Sequence, residues 1–262
     1  MELKGRTALI TGSAKGLGKR VALELARQGC SIVLNYNTSE REARTLQEEL
    51  RQLGVRTEAI QADMTIPEEA ERLAQEAEAW SGANGIDILI NNAGPFIHER
   101  RLFSRYSRED IISLVNGNLL SVMLLDQLLL KGMRARRWGR IIHFGFGHAG
   151  EARSWPYRAV YAAAKTGLVS FTKTLAAEEA AYGITVNMIC PGDIRGMNKE
   201  RSIEEAVEEE CEMQPGRPGT GEDVSRVIAF LCQCRSDYLT GNLIDVNGGF
   251  DPIIVNRRNQ SI

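Results

Sequence analysis

Tyr161 and Lys165 stand four residues apart in Tyr161-Ala162-Ala163-Ala164-Lys165, a spacing that raises both side chains from one face of a helix, one turn from each other. The pairing suggests a phenol made acidic by an ammonium. A tyrosine with an ordinary pKa of roughly 10 must fall by about three units to exchange protons readily near neutrality, which corresponds to about 4 kcal/mol of differential stabilisation. A close, partly desolvated lysine supplies much of this. Tyr and Lys also meet at this spacing on solvated helix faces, so the rest of the chain must give the pair its meaning.

Such a pair needs a partner to act on, and the N-terminal region offers a site for one. Residues 7–11 read as a buried strand that runs straight into Gly12-Ser13-Ala14-Lys15-Gly16-Leu17-Gly18, and 19–28 read as an amphipathic helix. This order places unpaired backbone N–H groups and the positive end of a helix dipole toward a phosphate, while the glycines let a pyrophosphate come close. A plain tight turn would also use glycines; the strand and helix on either side favour nucleotide binding.

The elements that hold these groups follow from alternation. Short β-branched runs at 31–36, 56–62, 86–91, 140–145, 185–190 and 242–246 alternate with helical patterns, which predicts an α/β, three-layer, doubly wound Rossmann fold with a mainly parallel sheet of about seven strands. One domain over 1–262 is expected from the length. The acidic stretch 197–212, between Pro191-Gly192 and Pro215-Gly216, reads as an exposed helical insertion, and a substrate lid is expected at about 194–215.

Composition narrows the function classes. A net charge of −2 argues against a nucleic-acid footprint. No run approaches the roughly 18 apolar residues of a membrane span, and the polar start is no signal peptide, so the expectation is a cytoplasmic protein without membrane association. Five cysteines, an odd number without framework spacing, fit reduced thiols. Cys232 and Cys234 have no partner pair, so no metal site is expected.

Several motifs stand in one order: Thr11-Gly12 through Gly18, Asn91-Asn92-Ala93-Gly94 after the fourth strand, Tyr161 with Lys165, Pro191-Gly192 after the sixth strand, and Leu239-Thr240-Gly241 with Val246-Asn247-Gly248-Gly249. Together they resemble the short-chain dehydrogenase/reductase family over nearly the whole chain. The resemblance implies NAD(P)-dependent hydride transfer between nicotinamide and a carbonyl or alcohol carbon. Tyr161 would be the general acid, and Lys165 would lower its pKa and hold the nicotinamide ribose. Asn118 matches the family asparagine that bends a helix and positions a water behind the lysine, with Asn116 as the alternative register. Asp63, followed by Met64, resembles the residue that meets the adenine amine, though an aspartate there also caps helices. Asn92, Ala93, Gly94, Pro191, Gly192 and Ile194 complete the implied cofactor contacts, Ile194 through its backbone.

The second strand ends at Tyr36, followed by Asn37, Thr38 and Ser39, where an NAD site usually carries a carboxylate for the ribose hydroxyls. No acidic group repels a 2′-phosphate there. With Lys15 in the glycine turn, NADP(H) is favoured over NAD(H).

The chain departs from the family pattern before Tyr161, where a serine normally donates to the substrate oxygen. The sequence reads Ile141-Ile142-His143-Phe144-Gly145-Phe146-Gly147-His148. Matched from the strand end, Phe146 takes the serine place; matched by distance from Tyr161, His148 does, and an imidazole can donate a hydrogen bond. Ser154 is a weaker candidate. Losing one oxyanion donor typically costs about 10²–10³ in rate. Gly196 stands where the family often has a threonine after Pro191-Gly192.

Two functions are therefore expected. The first is a carbonyl reductase similar to 3-oxoacyl-[acyl-carrier-protein] reductases, with a small-molecule carbonyl substrate. Phe96, Phe144, Phe146, Trp155 and Tyr157 would suit an apolar or aromatic one if they line the cleft. The basic cluster Lys131, Arg134, Arg136 and Arg137 could attract an acidic acyl carrier, or simply complement a helix end. The second is a cofactor-binding protein with weak or no redox activity, acting as a sensor or oligomer partner. Resemblance also implies a homo-oligomer, tetramer or dimer, through long helices at 107–136 and 155–182.

Overall fold

The computed structural model describes residues 1–207 and 216–249. Seven strands form one sheet: β1 (Thr7–Ile10), β2 (Ser31–Tyr36), β3 (Thr57–Gln61), β4 (Ile88–Asn91), β5 (Gly139–Phe144), β6 (Ile184–Pro191) and β7 (Leu243–Val246). All pairings are parallel, in the order β3-β2-β1-β4-β5-β6-β7. The order reverses between β1 and β4, and in doubly wound sheets the cleft opens at the carboxyl ends of strands at such a reversal. The α/β, three-layer reading of the sequence holds, with strand ends moved by a residue or two.

Each strand alternates its side chains between the two faces, so two cores form. Ala8, Ile10, Ile32, Leu34, Ile88 and Ile90 pack with α1 (Gly16–Arg27), α2 (Glu40–Gln52) and α8 (Gly221–Cys232). Leu9, Val33, Leu89, Ile141 and Val186 face the opposite way, against α3 (Pro67–Ser81), α5 (Ser121–Arg136) and α6 (Ala159–Glu179). Period-two alternation in runs that are apolar on both faces is what a sheet covered on both sides requires.

Three differences from the sequence reading bear on the site. The helix expected at 107–136 is two helices, α4 (Arg108–Val115) and α5, joined by one π turn at Asn116–Leu120. The helix expected from 155 starts four residues later, at Ala159. The expected lid is described only in part: a short 3-10 turn at Gly196–Lys199 and α7 (Ile203–Val207), with 208–215 outside the described residues.

The stretch 108–136 is the one described helical segment long and apolar enough to be compared with a membrane span, at a mean hydropathy of 1.4. Leu125, Leu129 and Met133 on it are buried in the core beneath the sheet. The buried Asp126 carboxylate in the same helix accepts from Asn91 Nδ2 at 2.9 Å and pairs with His143 Nε2 at 2.8 Å. That polar tie joins β4 and β5 to α5.

Candidate active site

β1 delivers the chain into the glycine turn, and the turn is fixed from both neighbouring strands. Gly12 N–H donates to Asn35 Oδ1 at 3.0 Å, and Ser13 exchanges bonds with the Asn35 backbone. From the other side Asn92 Nδ2 donates to the carbonyls of Thr11 and Gly12, at 2.9 and 3.0 Å, while the N–H groups of Asn92 and Ala93 both donate to Thr11 Oγ1. Gly12 and Gly16 adopt φ of +60° and +64°, the left-handed region that glycine enters without strain. Gly18 serves close approach instead: an added Cβ would stand 2.6 Å from the Gly12 carbonyl oxygen. Leu17 and Gly18 lie in the first turn of α1, so its N-terminus points at the cleft.

That cleft is a cavity of about 1110 Å³ that joins the turn to the Tyr161 and Lys165 pair. Gly12, Lys15, Gly16 and Leu17 line one wall, with Asn92, Ala93, Gly94, Asn118, Tyr161, Lys165, Pro191, Gly192 and Ile194. Six cationic side chains against two carboxylates line it, a balance that favours an anionic ligand. Of the expected cofactor residues, Ser13, Gly18, Tyr36, Asn37, Thr38, Ser39, Asp63 and Met64 lie outside this lining. Tyr36 and Met64 are buried, and Asn37 and Thr38 exposed, at the carboxyl ends of β2 and β3. There Asn37 Nδ2 donates to Asp63 Oδ2 at 2.8 Å, and Thr65 donates twice to Asp63 Oδ1. Partial burial raises the Asp63 pKa, but these donors outweigh it and hold the carboxyl below its ordinary value.

Tyr161 and Lys165 do share one face of α6, with Lys165 Nζ 6.0 Å from the phenol ring centre. Their electrostatics differ from the sequence expectation. Burial raises the Tyr161 pKa above its ordinary value, with a small further rise from Cys190. Burial also lowers the Lys165 pKa to about 8. Desolvation disfavours each charged form, and at 6 Å from the ring the ammonium does not reverse it.

The π turn sends the two asparagines to different places. It inserts one residue into the helical repeat and turns Asn118 inward, fully buried and lining the cavity, where its Nδ2 donates to the carbonyls of Pro95 and Leu114 at 2.8 and 3.1 Å. Its Oδ1 is buried with no hydrogen-bond partner among the described residues. Asn116 instead donates to the Thr65 carbonyl at 3.0 Å.

Past the end of β5, Phe146 lines the cavity and His148 does not. His148 Nδ1 lies 2.9 Å from Glu151 Oε1, and its N–H donates to Asp245 Oδ1 at 2.9 Å. Ser154 is likewise outside the lining. Phe146, Phe96 and Trp155 surround the Tyr161 ring, with ring centres 6.1, 4.9 and 6.1 Å from it. Phe144 also lines the cavity; Tyr157 does not. Arg100 and Arg158 add charge at this aromatic end, which the sequence reading missed because nothing in their spacing links them to Tyr161. The basic cluster on α5 is largely engaged within the chain: Arg134 with the buried Glu179, Arg136 with Asp87 and the Ile86 carbonyl, and Arg137 with the Ala181 carbonyl.

Comparison with known proteins agrees with this geometry. Residues 6–206 match the family model described as short chain dehydrogenase. The chain is 44% identical over 254 residues, 96% of its length and 99% of the relative's, to the Bacillus subtilis protein named "Putative oxidoreductase YtkK". It is 35% identical to the 3-oxoacyl-[acyl-carrier-protein] reductase FabG of Vibrio cholerae, covering 95% of this chain and 98% of that one. A solved structure of a blue fluorescent protein from a metagenomic library in complex with NADPH superposes with a TM-score of 0.81 at 29% identity, covering 95% and 99%. With the glycine turn, the parallel sheet and the family match in agreement, the chain belongs to the short-chain dehydrogenase family and has its NAD(P)-binding Rossmann architecture.

Proposed function

We propose that the protein is an NADP(H)-dependent oxidoreductase that moves hydride between nicotinamide and a carbonyl or alcohol carbon of an apolar substrate. The observation that carries this is one cavity holding the glycine turn at one end and Tyr161 with Lys165 at the other. The residues fit a dinucleotide. Gly16 leaves the approach to the turn open, with nothing nearer than 3.7 Å to the place of a Cβ, while Gly12 and Gly18 let the turn pack closely on Asn92 and on itself. Lys165 is buried with no carboxylate partner among the described residues, so its ammonium suits ribose hydroxyl oxygens. The unpartnered Asn118 Oδ1 is a place for a bridging water.

When bound, the nicotinamide supplies or accepts the hydride. Tyr161 gives its phenolic proton to the substrate oxygen as that oxygen gains charge. Its pKa, raised by burial, leaves Tyr161 in the protonated form that a general acid needs. Lys165 stabilises the phenolate that remains, and Asn118 positions the lysine through its free oxygen. Phe96, Phe146 and Trp155 exclude water and select an apolar or aromatic carbonyl. β2 ends at Tyr36 and Asn37 without a carboxylate of its own, and Asp63 beside it is engaged by Asn37 and Thr65, which supports NADP(H).

A spectrophotometric screen of NADPH and NADH oxidation against 3-oxoacyl thioesters, quinones and aromatic ketones tests this. Faster turnover with NADPH is expected, and inertness toward the whole panel would overturn it. The FabG relatives make 3-oxoacyl thioesters the first compounds to try, and with them an acyl-carrier protein as partner. Apolar side chains exposed along the 108–136 helices, Ile112, Leu120 and Leu128, support a dimer or tetramer through that face.

A second reading has its own observation. Phe146, a ring without a donor, lines the cavity past the end of β5, where the family serine is expected. That suits a cofactor-binding protein with weak redox activity, and robust reduction of any carbonyl in the panel removes it.

A further inference from the structure

A carboxylate already stands on the phosphate turn. Glu200 follows the short turn Gly196–Lys199, and its side chain crosses to α1, where Gly16 N–H donates to its Oε1 at 2.8 Å. Its Oε2 lies 3.6 Å from Lys19 Nζ. Gly16 is the first residue of α1, whose first-turn N–H groups have no partner within the helix, and no side chain of the N-cap residue Lys15 bonds them. Glu200 therefore takes the chemical part of a phosphate oxygen: a negatively charged acceptor at the positive end of a helix, with an ammonium beside it.

The seat of this residue is built into the fold. The Lys199 carbonyl passes so close to the start of α8 that a Cβ added at Gly221 would stand 1.9 Å from its oxygen, which only a glycine permits. Ile203 N–H donates to Glu222 Oε2 at 2.7 Å, fixing the chain beyond Glu200 to α8 as well. Lys199 and Glu200 line the same cavity as Tyr161. The backbone is thus pinned, while the Glu200 side chain is 37% exposed.

We propose that Glu200 is an internal competitor for the cofactor's pyrophosphate and sets cofactor affinity. The inference rests on the reading of the cleft as a dinucleotide site. One N–H cannot serve the carboxylate and a phosphate oxygen at full strength, and two anions at this helix end repel. Nucleotide binding must therefore turn Glu200 out, and affinity is reduced by the fraction of molecules in which it is seated.

Titration of the wild type, Glu200→Ala and Glu200→Gln with NADPH, ADP and adenosine 2′-monophosphate tests it. The Kd for NADPH and for ADP, which both carry a pyrophosphate, should fall about tenfold in Glu200→Ala and less in Glu200→Gln, which keeps an acceptor without the charge. Adenosine 2′-monophosphate, lacking a pyrophosphate, should bind all three proteins alike. Thermal melts confirm that the variants are folded. A Kd for NADPH and ADP in Glu200→Ala equal to or weaker than wild type overturns the proposal. If neither NADPH nor NADH binds wild type or variant, the dinucleotide reading itself falls, and the inference with it.

Discussion

The two walls of the cleft meet the same backbone demand by opposite means. On the nucleotide wall, Gly12 and Gly16 hold positive φ where a glycine is free to do so. The loop from β5 to α6, which lines the cavity through Phe146 and Trp155, puts its flanking residues His148, Ala152 and Tyr157 at φ of 61°, 49° and 69°, a conformation that costs roughly 1–2 kcal/mol for a residue with a Cβ. Contacts hold two of them: Asp245 accepts from His148 N–H, and the Tyr157 carbonyl accepts from the Tyr106 hydroxyl at 2.9 Å. The nucleotide wall is relaxed and built to a pattern shared across a family. The substrate wall holds positive φ at residues that carry a Cβ and turns aromatic rings, Phe146 and Trp155 among them, to the cavity.

The largest effect that would break this comparison lies where the walls meet. Tyr161→Phe should lower carbonyl reduction by about 10²–10⁴, the scale of a lost general acid, and leave the Kd for NADPH unchanged. Unchanged turnover in steady-state assays would move the chemistry off the phenol. Next in size is Phe146→Ser, which makes the substrate wall conform to the family. A restored donor should raise turnover of small ketones by up to about 10²–10³. Loss of a buried ring should lower stability by about 3 kcal/mol, read by urea denaturation. A variant that loses stability without gaining rate would show that the donor is supplied elsewhere.

Lys165 sharpens the comparison through pH. Its pKa of about 8, lowered by burial from 10.5, means that the native protein gives up this proton before the unfolded chain does. The cost of burying the charge, about 3 kcal/mol at order of magnitude, is full below pH 8 and is relieved as pH rises from 8 toward 10.5. Lys165→Met should therefore be the more stable protein at pH 7, with an advantage that shrinks by pH 9.5 as wild type loses the charge. In the wild type, kcat/KM for reduction should fall as pH rises through about 8, where the ammonium is lost. A stability difference independent of pH would mean that Lys165 is solvated.

The sheet was legible because its strands are short apolar runs bounded by turn residues, and a run such as 31–36 has no other stable use. The glycine turn was legible because sequence order and backbone geometry coincide there. Asn118 was ambiguous with Asn116 because a regular repeat cannot announce a π turn, and that one inserted residue decides which amide faces the cavity. Spacing gives Tyr161 and Lys165 a shared face, whereas the raised pKa of Tyr161 comes from burial, which spacing does not encode. The basic residues at 131–137 read either as attraction for an acidic carrier or as a complement to a helix end; Arg134 and Arg136 are taken up by Glu179 and Asp87, partners that only the fold brings near. Glu200 lies 184 residues from Gly16, and no local pattern connects them.

The smallest effect tests the comparison most directly, because reverse exchanges on the two walls, alanine to glycine on one and glycine to alanine on the other, should differ in sign. Ala152 is exposed, so replacing it by glycine removes no packing and relieves left-handed strain. Glycine also raises the entropy of the unfolded chain by about 0.4–1 kcal/mol. Ala152→Gly should thus be worth a net gain of about 0.5 kcal/mol. Gly16→Ala meets nothing closer than 3.7 Å, from Lys199, so backbone strain dominates, and it should cost about 1 kcal/mol and weaken NADPH binding by narrowing the approach to the turn. Chemical denaturation of both variants under one condition gives the two signs. A loss in Ala152→Gly as large as in Gly16→Ala would mean that the substrate loop is not strained, and that its positive φ values reflect neighbours that favour them.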